Sequence, residues 1–273
     1  MLYLTRKPQP PLSDFVELFW YYEGYTQAHA KERIMPDASM QVIINLQQDE
    51  ARIYHPQNPE NFDRYPGTIL CGPRSRFEVI DTAGQAWVMG IQFLPGGAAP
   101  FLALPLTEVQ DRVVPLECLW GLAGRDVRNR VLEASTPEQR LQVFEQCLLE
   151  QTIAPLERSR ALRGALHYIE RKLPAVQVGD LASTLGISRR RFIQVFSDEI
   201  GLTPKLFCRV RRFQQVLRTL HVVRDLDWSD LALSCGYFDQ AHFNHDFRAF
   251  SGMTPSHYLK CRTPHVNHVP LVD

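Results

Sequence analysis

The chain has 273 residues, enough for two ordinary domains, and at 45% hydrophobic and 22% charged it excludes a disordered or low-complexity protein. The net charge of +0 hides a polarity: residues 160–263 carry 16 Lys+Arg against 9 Asp+Glu, while residues 1–159 carry 14 against 20. The basic half suits a polyanion, no apolar run approaches the ~18 residues of a membrane span, and MLYLTRKPQP lacks the apolar core of a secretory signal, which points to the cytoplasm.

The first ~130 residues read as mainly β. PLSDFVELFWYYEG carries a Ser–Asp cap signal, compatible with a short helix or with direct entry into a strand. Met40–Leu46, Ala51–His55, Phe77–Thr82 and Ala86–Leu94 are short β-branched or aromatic runs separated by Pro, Gly and Asn/Asp. Trp20, Tyr21, Tyr22 and Trp87 are either core or the lining of a small-molecule pocket. LPGGAAPF (Leu94–Phe101) lacks phosphate-loop spacing and reads as a turn into a helix. From Pro100 to Leu156 the pattern becomes helical. Pro137–Glu150 places Leu141, Phe144, Cys147 and Leu148 on one stripe behind a Thr136 cap, either packed on its own domain or offered as a dimer surface. TIAPLERS reads as a linker, giving domains over 1–155 and 160–262.

The second half contains a repeat. DLASTLGIS begins at Asp180 and DLALSCGYF at Asp230, and GLTPKLF (Gly201–Phe207) returns as GMTPSHY (Gly252–Tyr258). Fixed-offset self-similarity marks one supersecondary unit used twice, here over about 180–201 and 230–252. Each copy has the anatomy of a helix-turn-helix: a small residue at a helix crossing (Ala182, Ala232), a turn glycine (Gly186, Gly236) and a second capped helix. Ser188 and Asp239 are the expected caps, with Phe192, Val195 and Phe196 buried in the first copy and Phe243, Phe247 and Phe250 in the second. Thr203–Leu220 between them is an amphipathic helix that would hold the units apart.

Residues 160–262 resemble the DNA-binding domain of AraC/XylS transcription regulators, above all in LALSCGYFDQAHFNHDFRAFSGMTPSHYL. RIMPDASMQVIINL, CGPRSRFEVI and GIQFLPGGAAPFLALPLTEVQDRVVPLECLWG resemble a cupin-like sensor domain of the DUF6597 type. The implied protein is α+β: a β-rich, cupin-like barrel or sandwich with added helices, followed by an all-α tandem helix-turn-helix domain. The implied function is sequence-specific binding of double-stranded DNA, two recognition helices reading successive major grooves roughly 34 Å apart under control of the N-terminal domain. A small-molecule effector, RNA polymerase and a second copy of the chain are candidate partners.

The DNA-facing candidates are Arg189, Arg190, Arg191, Ile193 and Gln194 in the first unit, and Gln240, His242, Asn244 and His245 in the second. Arg190 is assigned to base edges, Arg189 and Arg191 mainly to phosphates, and Ile193 to a thymine methyl. The family usually has Arg where this chain has Gln194 and His245, which implies an unusual base preference; DNA affinity weakening above neutral pH would reveal a charged His245 contact. Arg209, Arg211, Arg212 and Arg218 face phosphate, solvent or the domain interface.

Ser234–Phe247 looks at first like a metal site, with Cys235, Asp239, His242, His245 and Asp246, but the repeat makes it a turn and recognition helix. In the β region only His29 and His55 occur, without the HxH of metal-holding cupins. The cysteines Cys71, Cys118, Cys147, Cys208, Cys235 and Cys261 show no CxxC and read as reduced thiols. No catalytic residue, metal or cofactor is predicted. A catalytic cupin, an alkyl-transfer repair protein and a pure interaction protein are the competing classes, and none has a positive motif here.

Overall fold

The structure, a computed structural model, describes residues 1–173, 176, 178–222 and 227–271. Period-2 alternation in the first part becomes the strands β1 (Leu2–Arg6), β2 (Val16–Glu23), β3 (Lys31–Ile34), β4 (Gln41–Asn45), β5 (Ala51–His55), β6 (Asn58–Tyr65), β7 (Thr68–Cys71), β8 (Glu78–Asp81), β9 (Trp87–Phe93) and β10 (Val113–Pro115). Helices α1 (Glu117–Trp120), α2 (Leu122–Glu133) and α3 (Pro137–Glu150) follow. The second part comprises α4 (Arg160–Lys172), α5 (Val178–Thr184), α6 (Arg189–Ile200), α7 (Pro204–Val222), α8 (Trp228–Ser234), α9 (Gln240–Ser251) and α10 (Pro255–Cys261), with β11 (His268–Pro270) at the end.

The strands form two antiparallel sheets, ordered β1-β2-β9-β4-β7-β10 and β11-β3-β8-β5-β6. The β-branched runs become β4, β5, β8 and β9 within a residue or so of their expected limits. Both readings of PLSDFVELFWYYEG apply, because a 3-10 turn at Leu12–Asp14 leads directly into β2. LPGGAAPF ends in a 3-10 turn at Ala99–Phe101. One departure from the expected helical run after Pro100 is β10, which pairs with β7 through Val113↔Cys71.

The pleat of β2 decides where its aromatics go. Phe19 and Tyr21 are fully buried against the helical layer; Phe19 meets Phe144 of α3 with ring centroids 6.3 Å apart. Trp87 donates to the Tyr21 hydroxyl at 2.6 Å on that same face. Trp20 and Tyr22 point the other way, into a cavity of about 280 Å³ between the sheets. The stripe Leu141, Phe144, Cys147 and Leu148 is buried in its own domain, beneath a Thr136–Gln139 capping box.

The two parts are in close contact. Gly201 and Gly252 end α6 and α9 in the left-handed region, at φ +86° and +71°. A Cβ on Gly201 would stand 2.9 Å from the Leu106 carbonyl oxygen, and one on Gly252 would press into the Phe77 ring. Phe77 also donates its backbone N–H to the Phe250 carbonyl at 2.8 Å. After α10 the chain returns to the first part, where β11 pairs antiparallel with β3.

Replacing Gly186 or Gly252 by alanine costs ~1–2 kcal/mol for the left-handed backbone alone, but of these two only Gly252 would also press its Cβ into a neighbour, the Phe77 ring. We expect Gly252→Ala to lower unfolding free energy by roughly 1–3 kcal/mol more than Gly186→Ala, whose added Cβ would meet nothing within 4 Å. Urea denaturation of the two variants measures the difference.

Candidate nucleic-acid interface

The two helical units are built by the same local chemistry. Gly186 and Gly236 adopt φ +67° and +81°. Each turn is closed by an equivalent bond, Ile187 N to Ala182 O at 3.2 Å and Tyr237 N to Ala232 O at 2.9 Å, the six-to-one bond of a Schellman ending. Ala182 and Ala232 are 2% and 0% exposed. The second helix of each unit begins on a side-chain cap: Ser188 accepts from Arg191 N at 3.2 Å and Asp239 from His242 N at 2.7 Å. Phe192 and Phe196 hold α6 to the core, Val195 is half-buried, and Phe243, Phe247 and Phe250 do the same for α9. Between the units, α7 starts on Thr203, whose hydroxyl accepts from Leu206 N at 3.3 Å.

With α6 and α9 aligned on those caps, the positions that line their surfaces correspond. Arg189, Arg190, Ile193, Gln194, Ser197 and Asp198 line one concave surface. Gln240, Asn244, His245, Arg248 and Ala249 line another, together with Trp228 and the start of α10. Five positions of each helix recur in both: 189/240, 193/244, 194/245, 197/248 and 198/249. The first surface has one visitor from the β-rich part, Thr107 of the 3-10 turn Leu106–Val109.

Among the expected DNA-facing residues, Arg189, Arg190, Arg191, Gln194, Gln240, Asn244 and His245 are exposed and Ile193 is half-buried. Arg191 lies outside the first concave surface. Gln194 is tied to Asp198, donating at 2.9 Å. His242 is engaged locally: the Tyr237 ring meets it edge-on at 5.3 Å and Phe238 N donates to its Nδ1 at 3.5 Å. It does not line the surface formed by Gln240, Asn244 and His245. Arg248 does, and its signal was the i, i+4, i+8 series from Gln240 through Asn244. Trp228, which stacks on Phe243 at 6.1 Å, also escaped the sequence reading.

Two arginines of α7 brace the second unit. Arg209 donates to both oxygens of Asp246, at 2.6 and 3.2 Å, and Asp246 is 2% exposed. That hydrogen-bonded carboxylate raises the Arg209 guanidinium above its ordinary value. Arg212 donates to the Gly236 carbonyl at 2.8 Å and lies over the Tyr237 ring at 5.4 Å. Burial raises both the Tyr237 phenol and the Cys235 thiol. Cys235 is 1% exposed, and among the described residues no group of three or more His, Cys, Asp or Glu is placed to hold a metal ion.

Residues 4–115 match the family described as a domain of unknown function, DUF6597, and residues 181–260 match the family described as a helix-turn-helix domain. The probable transcriptional regulator LumQ of Photobacterium leiognathi is 26% identical over 118 residues, 41% of this chain and 47% of that protein. The chain thus spans about half the length of this curated relative. ToxT from Vibrio cholerae superposes over 94% of this chain and 98% of its own with a TM-score of 0.47 and 12% identity. A probable AraC family transcriptional regulator from Rhodopseudomonas palustris is 30% identical over 37% of this chain and 96% of its own, with a TM-score of 0.34. The helix-turn-helix match falls on α5–α10 and the DUF6597 match on the strands through β10, so the chain joins a DUF6597 domain to a helix-turn-helix domain.

Proposed function

We propose that the protein is a sequence-specific regulator that binds promoter DNA with α6 and α9 in successive major grooves, under the control of its β-rich domain. The observation that carries this reading is the recurrence of the same five helical positions on the two concave surfaces. Helices that read DNA alike must present alike, and a recognition helix contacts base edges from its opening turns. The connecting α7, with 19 residues, is about 28 Å long, comparable with the ~34 Å between grooves on one face of the duplex.

The side chains suit base and phosphate chemistry. Arg189 and Arg190 provide guanidinium forks for guanine, and Gln240 and Asn244 provide carboxamides for adenine. Arg191, away from the concave surface, is positioned for phosphate, which orients without specifying. Thr107 beside Arg189 and Arg190 supports a role for the β-rich domain in setting access to the first half-site. Among the described residues no helix is long and apolar enough to cross a membrane. A cytoplasmic regulator acting at promoters, with RNA polymerase or a second copy as partner, accords with this reading.

Selection of bound sites from random duplex DNA with the purified chain tests it. Enriched sites should contain two short elements about 10–10.5 base pairs apart within one footprint. Absence of any salt-sensitive shift at low ionic strength would sink the proposal, since phosphate neutralisation makes affinity fall steeply with salt. Arg190→Ala should cost ~1–3 kcal/mol on the selected site and relax base preference at one position. Arg191→Ala should weaken all sequences alike and reduce the slope of log affinity against log salt by about 1. Gel shifts across a salt series distinguish the two patterns.

A further inference from the structure

The cavity between the sheets has a charge that nothing permanent balances. The Glu32 side chain on β3 is 1% exposed and faces this space. Its oxygens meet His268 Nδ1 at 2.8 Å, the Tyr25 hydroxyl at 3.1 Å and His29 Nε2 at 3.3 Å. Burial works to raise its carboxyl, but the hydrogen bond and the charge of His268, with hydrogen bonds from His29 and Tyr25, hold it below the ordinary carboxylate range, so it is ionised at neutral pH and its one charged partner is a titratable imidazole. Among the described residues no Lys or Arg pairs with it. Of the other carboxylates around the cavity, Glu78 pairs with Arg74 and Glu50 with Arg52, while Asp81 accepts from the Gly84 N–H and the Tyr54 hydroxyl. An ionised carboxylate withdrawn from water without a full counter-charge is costly.

Aromatic rings stand at the same corner. Tyr22 and Tyr25 meet edge to face with centroids 5.2 Å apart, and Trp20 lines the cavity two residues before Tyr22 on the same face of β2. Ring faces attract cations, and most strongly where water is excluded. The volume of about 280 Å³ lies at the small end of ligand pockets, which run about 300–1,000 Å³.

We propose that this cavity binds a small organic ammonium ion, seated against Trp20, Tyr22 and Tyr25 with its charge facing the Glu32 carboxylate. The proposal rests on the reading of the β-rich domain as the sensor, and names the chemistry of what it senses. It also gives the site a connection to DNA binding, since His268 belongs to β11, the strand that follows the helix-turn-helix domain. An ammonium ion at Glu32 and the seating of β11 share one carboxylate.

The test is calorimetric titration of the full chain, without DNA, using choline, its neutral isostere 3,3-dimethylbutanol, butylamine and butyrate. Choline or butylamine should bind at least about tenfold more tightly than the neutral isostere, and the one preferred tells a quaternary from a primary ammonium. Butyrate should give no heat. Glu32→Gln should lose at least about tenfold in affinity, and Tyr22→Leu, at a half-exposed position, several-fold. Thermal melting checks that each variant folds, and Tyr22→Leu carries the test if Glu32→Gln does not. A neutral isostere binding as tightly as choline, a preference for butyrate, or no heat from either ammonium up to about 10 mM overturns the proposal. Gel shifts on the same preparations read DNA binding separately, so failure of the ammonium site and failure of the regulator reading are told apart.

Discussion

The side chain of Gln214 lies in the middle of α7 and is 3% exposed. A buried carboxamide must find acceptors for its N–H groups or forfeit about 1–3 kcal/mol for each left unpaired. Here both come from outside the helix: the Pro36 carbonyl at 2.7 Å and the Asn267 side-chain oxygen at 2.9 Å. The helix that links both units can satisfy Gln214 only with Pro36 of the β-rich part and Asn267 of the C-terminal tail in place. Met35 N–H to Asn267 O at 2.9 Å closes the third side. Met35, Ala38 and Val269 accordingly belong to the same apolar core as α4–α10. The spacing and direction of α6 and α9 are thereby referred to the β-rich part.

Much of the helical domain was legible because its determinants are local. A cap, a left-handed glycine and a phenylalanine spacing each act within a few residues, so Ser188, Asp239 and the two turns could be placed from sequence. The strands were legible where both neighbours are apolar, as in β4 and β9. They were not where a strand is polar or very short. In β6, NPENFDRY, no residue is buried, and in β11 the partner Glu32 lies over two hundred residues from Pro270. Glu32 and His268 form their contact through that pairing, and no local pattern could have announced it. The eight-residue spacing from Gln240 to Arg248 was available, but it interleaves with the phenylalanines that dominate the pattern of α9.

The two recognition surfaces are not equivalent in their surroundings. The first is bordered by Thr107 of the β-rich part; the second, among the described residues, is lined by residues of the helical part alone. The C-terminal ends of both helices nonetheless rest on the first part of the chain, α6 through Gly201 at Leu106 and α9 through Gly252 at Phe77. The concave surface of α6 is therefore open to the position of the β-rich part, while α9 meets that part at its C-terminal end.

The distance from cavity to helix is short at one place. Glu78 of β8 lines the cavity, and the preceding Phe77 packs on Gly252 and donates to the Phe250 carbonyl. Arg33 of β3 stands over the Phe77 ring at 5.5 Å, next in sequence to Glu32. Strands β3 and β8 are paired, with Glu32 opposite Ile80. Under the proposal above, a displacement of this pair by an occupant would reach the end of α9 through the Phe77 ring, and the tail through the Glu32 carboxylate. A ligand shifts such an arrangement only by the difference in its affinity for the two states. Glu32 is where that difference arises, because the same oxygens that would hold the ligand hold His268.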